Sequence, residues 1–197
     1  MTTTIVLARH GETDWNRERR FQGHADVPLN ELGRRQAREL AESLRGQELA
    51  AIYSSPLARA RETAEAVAAV VGVPVETRPA LREVDVGSWQ GLAWDELERD
   101  FPDDLERWRA GGRGWTGGES YEELQARVVP ELLELARRHP GERVLVVCHG
   151  GTMRAAQAAA NQLSYVDARQ TSGPIGNASV LVLRVEDGEL RAVDSAI

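Results

Sequence analysis

Thr4-Ile5-Val6-Leu7-Ala8-Arg9-His10-Gly11-Glu12 and, far downstream, Val144-Leu145-Val146-Val147-Cys148-His149-Gly150-Gly151 follow one pattern: an apolar run that stops at His-Gly. Short continuous apolar runs bounded by glycine read as strands buried on both faces of a parallel sheet. In open α/β sheets ligands sit outside the carboxyl ends of such strands. If the two strands are neighbours, both imidazoles enter one crevice. Arg9 beside His10 then points to an anionic ligand, most simply a phosphate.

Composition narrows the field. A chain of 197 residues is sized for one α/β domain with a small excursion. Its hydrophobic share of 42% and charged share of 28% are ordinary for a globular protein. No apolar run approaches the ~20 residues of a membrane span, and the first residues lack the apolar core of a signal peptide. Cys148 is the sole cysteine, which leaves no intrachain disulfide and makes a reducing cytoplasm the expected compartment. The net charge of −7 argues against a nucleic-acid partner, which needs a basic face. All 24 basic residues are arginine. Without lysine there is no P-loop lysine and no Schiff base, so a phosphate must be held by arginine, histidine, amides and hydroxyls. The four histidines, at 10, 24, 139 and 149, lack i,i+3 or i,i+4 ligand spacing, and neither a metal nor another cofactor is called for.

Strands alternate with helices, so the expected fold class is α/β: a three-layer α/β/α sandwich with a mainly parallel central sheet and a small cap insertion. Strands are predicted at residues 3–8, 50–54, 74–77 and 143–148, with a closing hairpin of 178–185 and 190–193 around Asp187-Gly188. A polar loop spans residues 14–28. Asn30 caps a helix over 31–45 whose apolar face is Leu32, Ala37, Leu40, Ala41 and Leu44. Ser55-Pro56 reads as a cap and first helical position for a helix to residue 71. Ser120 and Glu123 form a capping box for a helix to residue 138, bent at Pro130, and a last helix runs from Gly151 to Asn161. One domain covers 1–197, with the cap at about 88–118. The cap holds two short helices (93–100 and 103–110), four of the five tryptophans, and a loop over 111–118 with five glycines. It reads as a roof over the crevice with a mobile hinge, its tryptophans serving as packing or as a sugar-stacking surface.

A neutral imidazole can attack phosphorus and split a hard hydrolysis into two easier steps, which makes His10 a candidate nucleophile. Arg9 neutralises charge on the phosphoryl oxygens. Arg59, in the first turn of its helix, sits where free amides favour an anion, whereas Arg61 projects from a different face. An expelled alkoxide needs a proton, and Glu83 or Asp85 can supply it; the two share a face in an extended segment.

With these residues assembled, the chain resembles the histidine phosphatase superfamily, the phosphoglycerate-mutase-like family, over nearly its whole length. The resemblance implies His10 as phosphohistidine nucleophile, Arg9 and Arg59 as phosphate-binding arginines, and His149 as the second pocket histidine, with Gly150 beside it. The segment from Leu81 to Gly91 matches Leu-x-Glu-x-x-x-Gly-x-x-x-Gly and so implies Glu83, not Asp85, as acid/base. Asn16, Gln22 and Gly23 match positions lining the phosphate and substrate pocket. Mutases of the family carry a tyrosine where this chain has Val86, an asparagine where it has Gly151, and a lysine with an arginine pair in a longer insertion, whereas this chain has no lysine and no Arg-Arg pair between Gly91 and Ser120. Hydrolysis is therefore the expected reaction, without a metal, on a small phosphomonoester. Residues 117–120, 176–179 and 87–92 resemble the small-phosphatase branch, the last leaning toward glucosyl-3-phosphoglycerate phosphatase. A phosphoglycerate mutase and a non-catalytic phospholigand sensor are the alternatives. A homodimer is compatible with this reading; membrane partners are not expected.

Overall fold

The computed structural model describes residues 1–193. In chain order the elements are β1 (Thr3–Arg9), α1 (Asp14–Arg17), α2 (Glu31–Ser43), β2 (Ala51–Ser54), α3 (Ala58–Val71), β3 (Val75–Thr77), α4 (Trp94–Asp100), α5 (Pro102–Arg109), α6 (Tyr121–Arg138), β4 (Arg143–Cys148), α7 (Gly150–Ala160), α8 (Tyr165–Thr171), β5 (Val180–Glu186) and β6 (Glu189–Ala192). The six strands form one sheet in the order β3-β2-β4-β1-β5-β6. The first four in that order pair parallel, and the β5–β6 hairpin adds an antiparallel edge to β1. The two His-Gly strands are direct neighbours, Arg9 opposite Cys148.

Alternation along the central strands builds three layers, because successive side chains of a strand point to opposite faces. Val6, Ala8, Leu145 and Val147 pack under α2 and α3. Ile5, Leu7, Val144 and Val146 pack against α6 and α7. Each such valine, leucine or isoleucine buried from water contributes about 1.5–3 kcal/mol, which explains why both faces of these strands are apolar.

Several local expectations shift. Leu32 is 38% exposed, and Gly33 takes the inward position on α2. The polar loop after β1 contains α1, one turn closed by a capping box between Thr13 and Asn16. α3 starts at Ala58, not beside Ser55-Pro56, and the carboxylate of distant Asp26 accepts the Ala58 N–H at 2.6 Å. α8, capped by Ser164, lies between the expected last helix and hairpin, where no element is predicted. Pro130 sits inside α6. No helix among the described residues is long and apolar enough to cross a membrane.

The insertion between β3 and α6 belongs to the main core. Trp89, Leu97, Leu105 and Trp115 are at most 2% exposed and share one cluster with the sheet and α6. A Cβ on Gly114 would lie 2.2 Å from Trp89, and one on Gly118 (φ +62°) 2.3 Å from the Asp85 carbonyl oxygen. Close approach and left-handed backbone account for these glycines without a hinge.

Candidate active site

Because β1 and β4 end level with each other, His10 and His149 meet with ring centroids 5.2 Å apart. The His10 N–H donates to the Cys148 carbonyl at 3.0 Å, extending the ladder past both strands. Gly11 follows because α2 closes on this corner: a Cβ there would stand 2.4 Å from the Gly33 carbonyl oxygen. Glu12 ties the same joint, its Oε1 accepting from Asn30 Nδ2 at 2.9 Å and its N–H donating to Gln36 Oε1 at 2.8 Å.

His10 is 2% exposed, and its Nδ1 is 2.7 Å from the Gly11 carbonyl oxygen. A carbonyl only accepts, so Nδ1 carries the hydrogen and Nε2 keeps a free lone pair. Burial, then the charges of Arg9 and Arg59, hold the pKa of His10 well below 6.5, so the ring is neutral. His149 is equally buried and likewise lowered, chiefly by burial and then by Arg59. Its Nε2 lies 2.7 Å from Ser55 Oγ. Leu57 N–H already donates to that oxygen at 3.3 Å. The Ser55 hydroxyl is thus set to donate to Nε2, which puts the His149 hydrogen on Nδ1.

Two guanidiniums flank the pair. Arg59, 1% exposed, donates to the Ala25 carbonyl at 2.7 Å and the Gly23 carbonyl at 2.9 Å, and burial pulls its pKa down to about 10. Arg9 donates to the Ile175 carbonyl. Arg9 Nε, Arg59 Nε and His149 Nδ1 are all buried with no hydrogen-bond partner. An unpaired buried donor costs about 1–3 kcal/mol, so three around one imidazole form a site prepared for an anion.

Glu83 closes the arrangement. Its carboxylate accepts from Val84 N–H at 2.8 Å and Gly151 N–H at 3.1 Å. Gly151 leaves it room, since a Cβ there would stand 2.2 Å from Glu83 Oε1. Arg127 of α6 buckles the Glu83 segment down, donating to the carbonyls of Ala80, Arg82 and Glu83 at 2.7–2.8 Å and to both Glu119 oxygens. Asp85 turns away, its Oδ1 accepting the Gly87 N–H at 3.0 Å.

A cavity of about 210 Å³ opens over these groups, lined by Arg9, His10, Asn16, Gln22, Gly23, Arg59 and Glu83 among others. Thr13 organises two of them, its hydroxyl oxygen 3.1 Å from both Asn16 Oδ1 and Gln22 Oε1, so that its one hydrogen is shared between the two acceptors. His149 and Gly150 sit just behind this lining. His149 is fully buried against the His10 ring with its Nε2 turned to Ser55, and the open side of Gly150 faces Arg9, 3.7 Å from its Nε. Gly151 lines the wall instead. Arg20, Phe21, Val84, Val86, Trp115, Tyr121 and Tyr165 complete the lining and were not foreseen. Tyr165 comes from α8, whose Ser164-x-x-Asp167 cap was the available signal.

The sequence model of the histidine phosphatase superfamily (branch 1) matches residues 5–196. Phosphoglycerate mutase-like protein 4 of Arabidopsis thaliana is 42% identical over 193 residues, covering 94% of this chain and 80% of that protein. Metal-independent phosphoserine phosphatase of the same plant is 40% identical over 190 residues, covering 94% and 77%. Among solved structures, mycobacterial glucosyl-3-phosphoglycerate phosphatase in complex with VO3 superposes with a TM-score of 0.87 at 35% identity, covering 95% of each chain.

Proposed function

The chain belongs to the histidine phosphatase superfamily, branch 1, and from that premise we propose that it hydrolyses a small phosphomonoester through a phosphohistidine at His10. The observation that carries this reading is the imidazole with a free Nε2 surrounded by three unpaired buried donors. Arg9 and Arg59 hold the phosphoryl oxygens, and the unpaired Nδ1–H of His149, packed against the His10 ring, is a third donor at the same corner. Nε2 attacks phosphorus; the N–P bond forms as the bond to the leaving oxygen breaks, and Glu83 delivers a proton to that oxygen. Glu83, now a carboxylate, takes a proton from water. The water oxygen attacks phosphorus, the N–P bond breaks, and orthophosphate leaves with His10 neutral again. The developing charge is met by Arg9 and Arg59, so no step requires a metal. Asn16, Gln22 and Gly23 shape the pocket around the ester.

Relatives named for phosphoserine and glucosyl-3-phosphoglycerate support a phosphorylated metabolite as substrate class. One buried cysteine and no disulfide among the described residues suit a reducing compartment such as the cytoplasm. Rapid mixing with para-nitrophenyl phosphate and alkaline quenching should trap an acid-labile, base-stable phosphoryl adduct on His10. His10→Ala should abolish turnover, and activity within tenfold of wild type would overturn the mechanism.

A further inference from the structure

Tyr165 is the unexplained member of the cavity wall. Its ring stacks on Tyr121 with centroids 4.0 Å apart and planes 11° from parallel, and the residue is only 7% exposed. The Tyr121 hydroxyl is engaged, accepting from Trp108 Nε1 at 2.6 Å. The Tyr165 hydroxyl makes no hydrogen bond among the described residues, although buried phenols usually find a partner. It lies beside the acid: a Cβ on Gly151 would stand 3.5 Å from the Tyr165 hydroxyl oxygen and 2.2 Å from Glu83 Oε1. Glu83 is the group that meets the leaving oxygen, so a polar atom on the departing alcohol comes within reach of the phenol.

The wall around it mixes aromatic and aliphatic side chains with Asn16, Gln22 and Arg20. The Arg20 guanidinium is already bonded to Glu18 at 3.0 Å and Glu96 at 2.9 Å, two carboxylates for one cation. Cations lie close by as well: Arg169 stands 5.7 Å from the Tyr121 ring centre with a buried Nη1 that has no partner, and the charges of Arg154 and Arg169 both act on Tyr165. Burial, together with Tyr121 and Glu83, raises the pKa of Tyr165 well above 10, so it stays a neutral donor.

We propose that the Tyr165 hydroxyl contacts the leaving group and favours a departing alcohol with a hydroxyl beside the ester oxygen, as in a sugar or glycerol phosphate, over one with no polar atom there. This rests on the phosphatase reading above. The stacked Tyr121 holds the ring, and the glycine at 151 leaves the space between phenol and acid clear.

The test compares kcat/KM for glucose 6-phosphate, glycerol 1-phosphate and para-nitrophenyl phosphate in wild type and Tyr165→Phe. The variant keeps the ring that packs on Tyr121, and thermal unfolding checks that the fold is retained. In Tyr165→Phe the ratio of glucose 6-phosphate to para-nitrophenyl phosphate should fall about tenfold, the weight of one buried hydrogen bond to substrate. An unchanged ratio overturns the proposal. Absence of wild-type turnover on para-nitrophenyl phosphate, which has no group for Tyr165 to read, would instead overturn the phosphatase reading.

Discussion

Glu83 and Asp85 are two positions apart with the same functional group, and alternation in an extended segment puts them on one face. The backbone does not stay extended. Asp85 accepts the Gly87 N–H and begins a tight turn at Gly87–Trp89, while Glu83 is held over the cavity by the Val84 and Gly151 amides. Glu83→Gln should therefore cost on the order of 10²–10⁴ in the phosphorylation rate of an alkyl phosphate, the usual weight of a general acid. With para-nitrophenyl phosphate, whose leaving group needs no proton, burst kinetics should show a much smaller loss. Asp85→Asn retains the oxygen that accepts from Gly87 and should stay near wild type on both. The opposite pattern would assign the acid to Asp85.

At the scale of elements, the insertion carrying α4 and α5 behaves as part of the core. Phe21, Trp89, Trp94 and Trp108 pack with ring centroids 5.1–6.4 Å apart, and Trp115 continues the array to Tyr121 at 5.5 Å. Arg169 of α8 lays its guanidinium 4.1 Å from the Trp108 ring centre, tying α8 to the same array. Gly114 is the position where this packing is tightest. Gly114→Ala should lower the unfolding free energy by about 1–3 kcal/mol, the usual cost of overpacking, measured by denaturant titration. A mobile roof would accommodate the methyl group, and an unchanged midpoint would favour that picture. Tryptophan count and glycine run identified the insertion; only packing distinguishes a roof from a core, because tryptophan serves both.

For the molecule as a whole, burying two histidines between two arginines makes stability depend on pH. His10 and His149 stay neutral in the folded state, their pKa values held well below 6.5, while the unfolded chain takes up protons near 6.5. The unfolded state therefore binds more protons as pH falls, and stability drops with it. From about pH 7.5 to about pH 5.5 the two imidazoles together should remove about 2–3 kcal/mol, read from denaturant midpoints at each pH. An unchanged free energy over that interval would mean that they charge in the folded state. The parallel sheet, its two His-Gly strand ends and the arginine beside them were legible in the chain, because they follow from local periodicity and from chemistry carried within a few residues. The wall of the cavity was not. Asp26 caps a helix 32 positions away, Arg127 anchors the Glu83 segment from α6, and Tyr165 reaches the cavity from α8. Such contacts depend on where side chains point once distant segments meet, and neither spacing nor composition encodes that direction.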